Sequence, residues 1–162
     1  MPKQQTIVNI LKKIENNHSD PQNYSPTILR LVRLGHHLRQ NVAQVIVKYD
    51  LQHGDFGVLA TLSREKAPYC LSPTEIYSAM LCSSGGLTKV LNRVTNAGLI
   101  ERIDNPEDKR SKLVQLTETG KQLTDKITRE LHSKEHKLMG ILSDTEQQQL
   151  DGLLAKLLHV WE

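Results

Sequence analysis

Apolar residues recur along this chain at helical spacing for most of its length, with interruptions that mark its elements. Ile7, Ile10, Leu11 and Ile14 predict a short first helix. A polar stretch with Pro21 and Pro26 breaks that pattern. From Thr27 to Leu51 a long helix is expected, with Ile28, Leu31, Val32, Gly35, Leu38, Val42, Val45, Ile46 and Tyr49 as its apolar stripe. Gly35 inside that stripe offers a place for close helix packing. Gly54 interrupts the chain, and Phe56, Val58, Leu59 and Leu62 mark a short helix to about Arg64.

The next starts and stops are written in polar residues. Ser72-Pro-Thr-Glu75 is a helix start. The serine caps the next turn, the proline fits the first helical position and the glutamate reaches back. That helix is expected to run to about Leu81. Ser83 caps the following one, which continues to Ala97, and Gly98 suits the left-handed residue that stops it. Leu99–Ile103 and Leu113–Leu116 read as short strands, with Asn105-Pro106 in the turn between them. Thr117 precedes a long helix to Met139 or Ile141. Ser143-Asp-Thr-Glu146 opens a last helix with Leu150, Leu153, Leu154, Leu157, Leu158 and Trp161 on one face. The class that emerges is mainly α with a small β-wing: a winged helix-turn-helix flanked by long dimerisation helices.

The helix after Ser83 divides into two faces. Leu87, Val90, Leu91 and Val94 suit a core, whereas Thr88, Lys89, Asn92 and Arg93 project at one-turn spacing. Ser83, Ser84, Gly85 and Gly86 make a small, polar N-terminal end that a phosphate backbone can approach. Asparagine and arginine suit two-pronged contacts to adenine and guanine edges. An ordinary amphipathic surface helix has the same pattern, so the helix alone leaves both readings open. The loop Asp104–Arg110 adds weight to DNA binding. Asp108 lies two residues before Arg110 and is placed to hold its guanidinium at a hairpin tip, a device suited to a narrow minor groove. Lys109 and Lys112 would sit near phosphates, whose neutralisation releases counterions.

Composition narrows the alternatives. The chain has 162 residues, 38% hydrophobic and 24% charged, which is enough for one ordinary domain with a real core. Only 4% are aromatic, so the core must be mainly aliphatic. No apolar run approaches the roughly 20 residues that span a bilayer, and the N-terminus has no signal-peptide block. A cytoplasmic protein with no membrane partner is expected. The net charge of +3 says little, but no acidic residue lies between Arg30 and Lys48. Cys70 and Cys82 have neither metal spacing nor a disulfide framework. Cys82 precedes a helix start, where a thiol can be activated, so redox sensing stays an alternative. His132 and His136 have the i, i+4 spacing of metal ligands, although solvated histidines look the same. No paired carboxylates, nucleophile–base pair or phosphate loop marks an enzyme, and no cofactor is expected.

Leu71-Ser-Pro-Thr-Glu-Ile76, Ser83-Ser-Gly-Gly-Leu-Thr-Lys89, Gly98-Leu-Ile-Glu-Arg102, Asp104-Asn-Pro-Glu-Asp-Lys-Arg110 and Leu116-Thr-Glu-Thr-Gly120 together resemble the MarR family of bacterial winged-helix regulators. The resemblance is specific over residues 54–120. It implies a homodimer with interlocking terminal helices, Ser83 to Arg93 as recognition helix, and Arg110 as wing arginine oriented by Asp108. It divides the chain into an N-terminal extension (1–24), a long dimerisation helix (25–53), a DNA-binding region (54–116) and C-terminal dimerisation helices (117–162). The DNA-binding set is Ser83, Ser84, Gly86, Thr88, Lys89, Asn92, Arg93, Asp108, Lys109, Arg110 and Lys112.

Many members of that family are repressors released by small, often aromatic or phenolic, ligands. Here Arg30, His36, Arg39 and Tyr49 are the candidates for holding one, with helix packing or solvation as the plain alternative. The dimer also has an independent argument, because the stripes of the long first helix and the last helix are too apolar for lone surface helices. Two recognition helices about 34 Å apart would read a near-palindromic double-stranded operator. A winged helix that binds another protein, or a redox- or metal-responsive regulator, remains the rival reading.

Overall fold

The computed structural model describes residues 5–17, 25–80, 86–108 and 110–161. The chain divides after Gln44 into two compact units. The first holds α1 (Ile7–Asn17) and most of α2 (Pro26–Ile46). Leu11 is the buried residue of α1. Among the described residues no neighbouring helix packs on Gly35, where a Cβ would approach the Arg39 guanidinium at 3.7 Å.

The second unit begins where α2 ends. The expected helix to Leu51 stops earlier, at Ile46, and a 3₁₀ turn over Val47–Tyr49 follows. Asp50 then adopts a left-handed conformation with φ of 55°. The Asp50 and Leu51 amides donate to the Val47 and Ile46 carbonyls at 3.2 Å each. This is the closing pattern usual for a C-terminal glycine, adopted here by aspartate, which tolerates that region.

Helix α3 (His53–Ser63) follows at once. Gly54 lies within its first turn instead of breaking the chain, and a Cβ there would stand 3.0 Å from Val90 Cγ2, so the missing side chain lets α3 approach α5. Next come β1 (Cys70–Leu71), α4 (Pro73–Ala79), α5 (Leu87–Asn96), β2 (Ile100–Asp104), β3 (Lys112–Leu116), α6 (Glu118–Met139) and α7 (Asp144–Leu158). The sheet has the antiparallel order β1-β3-β2, so the predicted hairpin gains a third strand. Ile100 pairs with Leu116 and Asp104 with Lys112.

The core of this unit is aliphatic. Val58, Leu59 and Leu62 of α3 meet Ile76 of α4, Val90, Leu91 and Val94 of α5, and Ile100, Val114 and Leu116 of the sheet. Each fully buried side chain of this size stabilises the fold by about 1.5–3 kcal/mol. The α5 stop is a Schellman turn: Gly98 has φ of 69°, Gly98 N donates to Thr95 O and Leu99 N to Val94 O. Thr117 then joins the end of α5 to the start of α6. Its hydroxyl donates to Gly98 O at 2.8 Å and accepts from Gly120 N at 3.0 Å, at the start of α6. Gly120 packs directly on the backbone of Leu99, just before β2, for a Cβ there would lie 2.0 Å from Leu99 O.

Candidate nucleic-acid interface

Helix α4 is fixed at its start by short-range bonds. Ser72 Oγ accepts from Glu75 N, and Glu75 Oε2 accepts from Ser72 N at 2.7 Å. Hydrogen bonds from the Ser72 hydroxyl and amide hold the Glu75 carboxyl below its usual range. Ile76 is wholly buried and pins the helix to the core. Ser83, Ser84, Gly85, Leu81 and Cys82 lie outside the described residues, as does Lys109.

Helix α5 enters from Gly86, which is left-handed at φ of 89°. Val90, Leu91 and Val94 are buried, and Thr88, Lys89, Asn92 and Arg93 are exposed, which is the two-faced division its periodicity predicts. Two of those exposed side chains are nevertheless engaged within the protein. Arg93 sends Nε to Asp55 Oδ1 at 2.8 Å and Nη2 to the same oxygen at 2.6 Å. Asp55 is only 1% exposed and also accepts from Gln52 N at 2.8 Å. Its hydrogen bond to Arg93 raises the guanidinium pKa still further. The fork of Arg93 is therefore turned onto α3, a different position from the free, base-facing one suggested by helix spacing. Asn92 accepts from Arg102 Nη2 at 3.1 Å, which ties α5 to β2.

The wing tip is built from short polar side chains. Asn105 Oδ1 accepts from Glu107 N, and Asn105 Nδ2 donates to Ser111 Oγ, both at 3.0 Å. Ser111 N and Oγ both donate to Asp108 O. Asp108 Oδ1 accepts from Arg110 N at 3.0 Å and from Arg110 Nε at 3.5 Å. The Arg110 side chain is 95% exposed, so the aspartate orients it without covering it. Lys112 pairs with Asp104 across the hairpin. Two of these links, Arg93–Asp55 and Arg102–Asn92, escape a sequence reading because their partners are far apart in the chain.

With this geometry in view, known proteins supply the family. The profile described as MarR family matches residues 49–111. The HTH-type transcriptional regulator PecS of Dickeya dadantii (strain 3937) is 34% identical over 114 residues, covering 70% of this chain and 69% of PecS. The chain belongs to the MarR family. The multiple antibiotic resistance protein MarR of Escherichia coli (strain K12) is 30% identical over 139 residues, covering 81% of this chain and 92% of that protein. A solved structure titled Multiple Antibiotic Resistance Repressor, MarR, superimposes with a TM-score of 0.68 at 25% identity, over 85% of this chain and 98% of that one. The chain is thus a DNA-binding transcription regulator with the MarR winged-helix fold, and not an enzyme.

The remaining predicted residues fall elsewhere. Arg30, His36 and Arg39 stand on α2, with the His36 and His37 rings edge to face at 5.7 Å between centroids. Tyr49 belongs to a cluster at the end of the 3₁₀ turn. Its hydroxyl donates to Glu130 Oε2 at 3.4 Å, its ring lies 5.2 Å from Lys126 Nζ, and Lys48 pairs with Glu130. His132 lies 4.0 Å from Glu135, and no group of three or more metal-ligating side chains gathers among the described residues. Cys70 is a half-buried free thiol on β1. No helix among the described residues is long and apolar enough to cross a membrane.

Proposed function

We propose that the protein acts as a homodimeric repressor on a near-palindromic operator and that a small ligand releases it. The observation that carries the DNA-reading half is the pairing of an exposed α5 face with an oriented, uncovered wing arginine. In this reading Thr88 and Lys89 enter the major groove, with Ser83, Ser84 and Gly86 beside the phosphates. Arg110 enters the minor groove, and Lys109 and Lys112 flank it. Asn92 keeps its amide nitrogen for a base edge, whereas Arg93 serves chiefly to fix the angle of α5. Asp108 acts through Arg110.

Unpartnered apolar side chains support the dimer. Ile28 and Val32 on α2, Leu153, Leu157 and Leu158 on α7, and Trp161 beyond it are all exposed in the single chain, Trp161 at 79%. Leu153, Leu157, Leu158 and Trp161 recur at helical spacing, and apolar side chains grouped in this way mark an interaction surface more often than scattered ones do. The repressor role rests on relatives such as MarR, and Arg30, His36 and Arg39 of α2 are the residues proposed for the ligand.

Footprinting on the DNA flanking its own gene tests the proposal. A protected site with two half-sites about one helical turn apart is expected. Light scattering should give twice the 18.4 kDa chain mass. A monomer that protects no DNA, or one that binds every sequence equally at physiological salt, would remove the reading.

A further inference from the structure

The N-terminal unit carries a groove of about 540 Å³ between the start of α1 and one face of α2. Its lining includes Gln5, Ile7, Arg30, Arg33, Leu34 and His37. Arg30, Arg33 and His37 are spaced three and four residues apart, so they share one helix face. Neither Arg30 nor Arg33 has a hydrogen bond or an ion pair among the described residues. Two like charges one turn apart repel each other mildly, and nothing on their own stretch of helix offsets them, because α2 has no acidic residue. Ile7 and Leu34 give the same groove an apolar wall. Its volume falls in the range of small-molecule sites, which are mostly apolar with a few converging polar groups.

We propose that this groove binds a small organic anion of the phosphate-monoester class, with a doubly charged head on a compact apolar body. Guanidinium forks match phosphate oxygens two at a time. The head balances Arg30 and Arg33 together, and the Gln5 amide and His37 supply further donors. The body lies on Ile7 and Leu34. A neutral ligand leaves the charge uncompensated, and a bare phosphate leaves the apolar wall exposed.

The test is titration calorimetry on the full-length protein without DNA, using phenyl phosphate, benzoate, phenol and inorganic phosphate as probes. Phenyl phosphate should bind at one site per chain, about tenfold or more tighter than each of the other three, in keeping with hydrogen bonds to a charged group. Arg33→Ala should weaken it by a similar factor. Leu34→Glu, which places a carboxylate beside the two arginines, should abolish it, and both variants should keep the wild-type circular dichroism melt. Undiminished binding by Arg33→Ala and Leu34→Glu would overturn the proposal. So would silence from phenyl phosphate, as when a second copy of the chain covers the groove. Equal affinity for inorganic phosphate would overturn the apolar half of the site. Because no DNA is present, failure here is separate from failure to find an operator.

Discussion

Arg93 on α5 and Arg110 at the wing tip are both arginines beside an aspartate, yet they do opposite work. Arg93 lays its fork on Asp55, a carboxylate almost wholly removed from water. Arg110 receives one long side-chain contact from Asp108 and stays in solvent. A charge pair with one buried member is costly to break, because the remaining charge is left without compensation. An exposed pair contributes little to stability and mainly restricts where the cation can be. The first pair therefore sets the scaffold, and the second leaves a charge available to a partner.

The sharpest way to break this contrast is Arg93→Ala. Arg93 is partly exposed and Asp55 keeps its bond from Gln52 N, so the loss should fall at or below the low end of the range for buried pairs, about 2–3 kcal/mol. Urea denaturation would measure it, and a loss under about 0.5 kcal/mol, typical of surface substitutions, would show that the pair is not structural. Arg110→Ala should do the reverse. Stability should stay within about 0.5 kcal/mol, while operator affinity falls roughly tenfold and the salt slope of binding shrinks by about one unit. Titrations at several salt concentrations check this, and an unchanged slope would take Arg110 off the DNA.

A double-mutant cycle compares the two pairs directly. Coupling near or above about 1.5 kcal/mol is expected for Arg93 with Asp55, and below about 0.5 kcal/mol for Arg110 with Asp108. A smaller effect concerns acid. The Glu75 pKa is depressed in the folded chain by Ser72, so its contribution is present above the unfolded value of 4.5 and is lost as pH falls through the lower folded value. Ser72→Ala should flatten that part of the stability–pH curve, and an identical curve would show that the bond carries no stability.

Local chemistry decided what could be read from the residues alone. Ser72 with Glu75, Ser143 with Glu146 and Thr117 with Gly120 are bonded three residues apart, so each helix start is visible in a short window. Gly98 and the two-faced pattern of α5 are equally local. Asp108 and Arg110 were legible for the same reason. Arg93 was not, since Asp55 lies 38 residues away and spacing alone makes any exposed arginine on this helix look like a base reader. Strand β1 has two residues, too few to display a period. Gly54 looked like a break because its close neighbour, Val90, comes from another helix. The apolar stripe runs past the end of α2 because a 3₁₀ turn takes over after Ile46, closed by an aspartate where glycine is the usual signal.

The Thr117 hydroxyl has a mechanical consequence. It clasps the end of α5 and the beginning of α6 in one hand, and Gly120 lets α6 rest on the Leu99 backbone, just before β2, with no side chain as cushion. Such a joint has little play. Helix α6, with 22 residues, is about 33 Å long, so tilting it by roughly 5° sweeps its far end through about 3 Å. Run in the other direction, a push of that size at the far end turns α5 by the same few degrees. The helix is a lever, and a threonine and a glycine are its fulcrum.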